Sequence, residues 1–171
     1  MVMIDQEGKE TTFQFLTNRV YLPGYMTLAS ADYGFNEGSF RFNLAEPSVT
    51  RGSLVRYMTP RGLHICLSQA GYALAENMAN EGILGETTAS GLRETFLESR
   101  LRITEFLQRF RREIPLGAPV DGRVSVSKVR LGIIPVLMLN FELGKKAVSG
   151  SLTSVIAPKP VHQLNQDLLR F

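Results

Sequence analysis

The stretch Thr59-Pro60-Arg61-Gly62-Leu63-His64-Ile65-Cys66-Leu67-Ser68-Gln69-Ala70-Gly71-Tyr72-Ala73-Leu74-Ala75-Glu76-Asn77-Met78 decides the fold. Threonine is a good N-cap, and proline fits the first helical position, where no intrahelical N–H is needed. From Leu63 the residues Leu67, Ala70, Leu74 and Met78 recur with helical period. The opposite side, with Ile65, Gly71, Tyr72 and Ala75, is also mostly apolar or small. A helix apolar nearly all round is surrounded by protein, so 60–78 is expected inside the fold.

The flanking sequence supplies what surrounds it. Phe13, Leu16 and Val20 predict a short helix over 11–20, ended by Pro23-Gly24. A strand is expected over 25–33, with turn chemistry at Asn36-Glu37-Gly38. Phe40, Phe42 and Leu44 then alternate with Arg41 and Asn43, completing a hairpin. Gly82 and Gly85 mark a mobile connection over 80–88, and a second, amphipathic helix is predicted near 90–100 with Leu92 and Phe96 inward. From there nearly everything reads as strand: 103–114, around Val124 and Val126, 136–143, and 146–157. Turns are expected at Pro115-Leu116-Gly117, Asp121-Gly122 and Leu143-Gly144-Lys145, with Pro158 and Pro160 stopping the last strand. An unbroken series of strands cannot be doubly wound. The expected class is α+β, an antiparallel sheet curled around one central helix, in a single domain over 1–171 with its core at about 25–157.

Composition agrees with a globular chain: 171 residues, 44% hydrophobic and 20% charged. Its net charge of +3 is too small to argue for nucleic acid, and no long basic run with interleaved aromatics supports it. No apolar run approaches the roughly 18 residues of a membrane span, and 1–10 lacks a signal-peptide core. The single cysteine, Cys66, excludes an intramolecular disulfide and suits a reducing compartment, so a cytoplasmic address is expected. His64 and His162 lie far apart, and no Cys/His spacing resembles a zinc site. No glycine loop for phosphate follows a strand.

The run 59–72 resembles the central helix of FcoT-like fatty acyl thioesterases, a branch of the hot-dog fold. Arg109-Phe110-Arg111-Arg112 before Pro115-Leu116 resembles the basic strand end of the same family, and the likeness spans roughly 25–157. The resemblance implies activity on a long acyl chain carried by CoA or an acyl carrier protein. It implies no further cofactor and a homodimer paired through an edge strand. Some members of this family add glycine to the β-carbon of an enoyl thioester, using tyrosine and asparagine side chains. By position the asparagine falls on Ser68, and the tyrosines fall on Tyr25 and on Tyr57 or Val49. Gln69-Ala70-Gly71 is also similar to hydroxyacyl-ACP dehydratases, but their carboxylate position is Ile65 here and no histidine precedes Pro60. Dehydration or isomerisation of a hydroxyacyl or enoyl thioester is the alternative within the class. A catalytically silent acyl-binding or assembly subunit is the alternative outside it.

Residue by residue, His64 lies one turn into the buried helix and Ser68 one turn further on the same face. The helix amino end, with roughly half a positive charge, suits a developing thioester oxyanion. His64 is thus a candidate base, with Ser68 positioning a water, an amine or the carbonyl. Cys66 points about 200° around the helix from His64 and reads as core rather than nucleophile. Gln69 and Tyr72 are expected to reach neighbouring strands or a subunit partner. Arg109 and Arg111 share one face of their strand and Arg112 the other. These guanidinium groups match a CoA or phosphopantetheine phosphate, or an acidic carrier surface; alternatively, they keep a solvated edge strand from aggregating.

Overall fold

In a computed structural model of the chain, residues 11–156 are described, apart from 22–24, 26, 45–47, 51–52, 99–100 and 133–134. The expected stops at Pro23-Gly24, Pro158 and Pro160, the amino-terminal segment 1–10 and the tail with His162 lie outside the described residues.

The central helix, α2, runs Pro60–Asn80. The Thr59 hydroxyl accepts from the Gly62 N–H at 3.2 Å, and Pro60 sits at the first turn as its fixed φ favours. At the other end Gly82, at φ +71°, takes a backbone conformation that side chains disfavour, and the Ile83 N–H returns to the Met78 carbonyl. Leu63, Leu67, Ala70, Tyr72, Ala73, Leu74 and Met78 are buried, so the helix is enclosed on more than one side. Each large apolar side chain among them contributes roughly 1.5–3 kcal/mol by leaving water.

Around it the chain forms α1 (Thr12–Phe15), a single π-helical turn at Leu16–Val20, β1 (Leu28–Tyr33) and β2 (Glu37–Asn43). A small hairpin follows, β3 (Ser48–Thr50) with β4 (Ser53–Val55). After α2 come α3 (Ala89–Leu97), β5 (Leu101–Phe110), β6 (Pro119–Arg130), β7 (Val136–Leu143) and β8 (Val148–Ile156). Six strands make one antiparallel sheet in the order β1-β2-β6-β7-β8-β5. This is the α+β hot-dog architecture. Alternating residues of the sheet turn inward: Phe40 and Phe42, Val120 and Val124, Leu139, Phe141 and Leu143, Val148 and Leu152.

Several local expectations are corrected. Asp121-Gly122 is no turn but lies within β6, where a Cβ on Gly122 would come 3.0 Å from the Leu143 side chain. That glycine serves packing, not reversal. Glu37 and Gly38 belong to β2, so the hairpin reverses at Gly34–Asn36, where the Gly34 N–H meets the Glu37 carbonyl. The strand expected over 103–114 ends at Phe110; the N–H groups of Arg111 and Arg112 both turn to the Ala147 carbonyl. Arg109 and Arg111 therefore do not share a strand face.

Two contacts fix the layers. The buried Gln69 amide oxygen accepts from the Thr27 N–H (3.0 Å), the Thr27 hydroxyl (2.9 Å) and the Leu28 N–H (2.8 Å). Its nitrogen donates to the Tyr25 carbonyl at 2.8 Å. Both polar atoms of the Gln69 amide are thus engaged, and it ties the start of β1 to the helix rather than reaching a ligand. Gly150 lets β5 approach β8: a Cβ there would stand 2.0 Å from the Leu107 carbonyl oxygen. Gln69→Ala should cost about 2–4 kcal/mol in denaturant unfolding, because it strands buried N–H groups. Gly150→Ala should lose hydrogen-exchange protection in β5 selectively, whereas uniform protection would contradict this packing.

Candidate functional site

Ser68, Gly71 and Ala75 recur at three and four residues along one face of α2, and this small-residue face does not close onto the sheet. Between it and the inner sides of β5, β7 and β8 lies a cavity of about 450 Å³. Its walls are largely apolar, with Leu137 and Leu139 from β7, Leu152 from β8 and Ile103 from β5. Gly71 sets how closely the helix approaches, since a Cβ there would meet Leu139 at 3.1 Å.

His64 and Ser68 both line this cavity. The exposed imidazole stands edge-on to the Phe106 ring, with centroids 5.5 Å apart and planes at 84°. Among the described residues neither the imidazole nor the Ser68 hydroxyl is engaged in a hydrogen bond, so both remain open to a ligand. The helix end itself offers less than expected. The Gly62 and Leu63 N–H groups are taken by the Thr59 hydroxyl and carbonyl, and Pro60 has none. Any oxyanion here is met by side chains and the helix dipole rather than by a row of free amides.

Tyr72 also lines the cavity, stacked on Phe15 at 5.5 Å and tilted against Phe96 at 4.5 Å. Burial, and then the charge of Glu76, push its phenol far above the ordinary range, so it stays protonated. Glu76 is itself buried and takes the Arg93 guanidinium, whose Nε donates at 2.8 Å. Arg93 also lies over the Phe15 ring, 5.1 Å from its centroid. This ion pair anchors α3 on α2, leaving the Tyr72 hydroxyl and one Glu76 oxygen without a partner among the described residues.

The sequence-derived candidates divide between two sides of the helix. Tyr25 and Tyr57 line a different cavity, of about 210 Å³, with Thr27, Thr59 and Cys66. The structure brings His64, Ser68 and Tyr72 together and does not bring either tyrosine to them. Arg109, Arg111 and Arg112 are exposed beyond Phe106, and the Arg112 guanidinium donates to the Lys145 carbonyl at 2.9 Å. The arginine on the cavity wall is Arg102, which sequence reasoning passed over. The alternation of Leu137, Leu139, Phe141 and Leu143 was the signal that could have assigned the β7 wall. Among the described residues no group of three or more His, Cys, Asp or Glu could hold a metal, and no helix is long and apolar enough to cross a membrane.

Several solved structures share the fold. A candidate thioesterase from Shewanella oneidensis superposes with a TM-score of 0.57 at 11% identity, covering 86% of this chain and 95% of that one. A homologue of HP0420 from Helicobacter felis gives 0.51 at 8% identity, covering 91% and 95%. The cysteine-to-alanine form of the Helicobacter felis protein gives 0.53 at 9% identity, covering 94% and 95%. At such identities the likeness is one of fold. No protein-family model matches the chain, and no curated protein matches its sequence.

Cys66 is 3.4 Å from the Thr27 hydroxyl, and burial pushes its thiol up to about 11. The half-buried Tyr21 phenol, on the main cavity wall, is pushed up to about 12 by burial and then by the nearby Cys66. Folding favours the protonated form of both acids. Their contribution is therefore intact below the unfolded thiol value near 9.0 and is lost as pH rises through about 11 to 12. The urea midpoint should fall between pH 8.5 and pH 11.5, and Cys66→Ala should shrink that fall. Native protein at pH 8 should resist iodoacetamide that labels Cys66 rapidly once unfolded; rapid native labelling would contradict the burial.

Proposed function

We propose that the protein hydrolyses an acyl thioester, with the acyl chain lying along α2 in the cavity that begins at His64 and Ser68. The observation that carries this reading is the pairing of two open polar side chains, one turn apart, with an otherwise largely apolar cavity. A thioester needs a polar clamp at its carbonyl and an apolar sleeve behind it. The resemblance of 59–72 to FcoT-like thioesterases agrees with this assignment.

In the proposed reaction His64 takes a proton from water as the water oxygen bonds to the carbonyl carbon. Ser68 donates a hydrogen bond to the carbonyl oxygen as it gains charge. The C–S bond then breaks and the imidazolium returns its proton to the leaving sulfur, giving a free acid and a thiol. Arg109, three residues beyond Phe106 on β5, lies ~10 Å further along the strand. With Arg111 and Arg112 it forms the cationic end toward which a CoA or carrier phosphate is directed.

Among the described residues β5 has a strand neighbour on one side only, and it presents Leu107, 57% exposed, and Phe110, 38% exposed. Long unpaired edges with apolar residues invite pairing. We assign β5 as the strand through which two copies join, placing the arginines at the seam. Sedimentation at micromolar concentration should show a dimer that Leu107→Lys dissociates; a monomeric wild type would remove this arrangement.

The activity test is a panel of acyl, enoyl and 3-hydroxyacyl thioesters of CoA and of a carrier protein, with and without glycine, followed by mass spectrometry. Free thiol with free acid is expected. Loss of water or a glycine adduct would replace hydrolysis by dehydration or amine addition. Binding without any product would mark a silent acyl-binding module. His64→Ala should lower kcat by about 100-fold or more, as expected on losing a general base; unchanged turnover would exclude His64.

A further inference from the structure

Apolar space continues beside the far end of the main cavity. A second, small apolar pocket of about 30 Å³ lies beyond it, and the two share Ala75, Leu137 and Ser154 in their linings. The shared residues stand between the two spaces. On the far side the pocket is closed by Leu84 from the turn after α2, Leu92 from α3 and Leu131 from the β6–β7 loop. Polar chemistry is nearly absent: the Ser154 hydroxyl is spent on the Arg102 carbonyl at 3.2 Å, so it asks nothing of a ligand. The turn that closes the pocket is held by its backbone. Gly85, at φ +65°, lets the chain come close enough that a Cβ would lie 3.0 Å from Leu131. The pocket thus joins sheet residues, Val129, Val136 and Ile156 among them, to segments outside the sheet.

We infer that Ala75 and Leu137 are specificity-determining residues. They form a neck through which the methyl end of a long acyl chain passes from the main cavity into the inner apolar pocket. This rests on the reading of the main cavity as the acyl site and deepens it. Distance along the helix sets the scale: His64 to Ala75 spans ~16 Å of axis at ~1.5 Å per residue. Short chains whose carbonyl sits at Ser68 stop before the neck, whereas long chains cross it. Each methylene that gains apolar burial strengthens binding about fourfold, and the gain ends where the inner pocket is full.

The test separates this inference from the function it builds on. Saturated fatty acids from hexanoic to hexadecanoic are titrated against the full chain by calorimetry, with no dependence on turnover. Wild-type affinity should climb by about fourfold per methylene and then level off. Ala75→Leu, which plugs the neck, should weaken hexadecanoic acid by at least tenfold more than hexanoic acid and move the plateau to shorter chains. Leu131→Ala, at an exposed loop position that does not threaten folding, should move the plateau to longer chains. Length profiles that are identical in wild type and both variants would overturn the neck while leaving the acyl cavity standing. If Ala75→Leu does not fold, an unmoved plateau in Leu131→Ala overturns it alone. No binding of any chain length would overturn the acyl reading of the main cavity and the neck with it.

Discussion

The enclosure of α2 by the sheet is the constraint on which everything else rests. A helix with Leu63, Leu67 and Leu74 buried on one side and Tyr72, Ala73 and Ala75 on others has little surface left to lie against water beyond its amino end, so the strands must curl to cover it. Gln69 makes that enclosure specific rather than merely hydrophobic. Its four hydrogen bonds are directional, and they set the start of β1 at one height on the helix. A slip of one residue would leave buried N–H groups unpaired and turn the inner face of the strand outward.

Enclosure also explains why a cavity exists at all. Where α2 carries Leu63, Ala70, Leu74 and Met78, its surface fills the space to the neighbouring elements. Where it carries Ser68, Gly71 and Ala75, the side chains are too short to do so. Holding this gap open needs rigid surroundings, and the Glu76–Arg93 pair supplies part of that by fastening α3 to the helix. A buried ion pair of this kind contributes more to placement than to net stability, because desolvating both charges offsets much of their attraction. The amino end of the helix, the polar pair and the apolar cavity thus follow one another in a fixed order along one axis.

Much of this order was readable from the residues. The all-round apolar character of 60–78 announced a buried helix, and the strands that followed announced the antiparallel sheet. What failed was local and had a common cause: tertiary packing overrode turn chemistry. Asp121-Gly122 reads as a turn by composition, but its glycine answers to Leu143 on the next strand, which no local pattern contains. Arg111 and Arg112 read as strand until the Ala147 carbonyl draws both N–H groups aside. At the site, helical spacing correctly placed His64 with Ser68 and apart from Cys66. It could not place Tyr25 and Tyr57 on the other side of the helix, or Arg102 on the cavity wall, because those positions depend on contacts distant in sequence.

Where an acyl chain lies relative to α2 is decided by a crystal structure with a non-hydrolysable thioether analogue of a long-chain acyl-pantetheine. The sulfur end is expected beside His64 and Ser68, with the hydrocarbon running past Gly71 toward Ala75 and Leu137. An analogue bound beside Cys66 and Tyr57 instead, or lying on the outer face of the sheet, would contradict it.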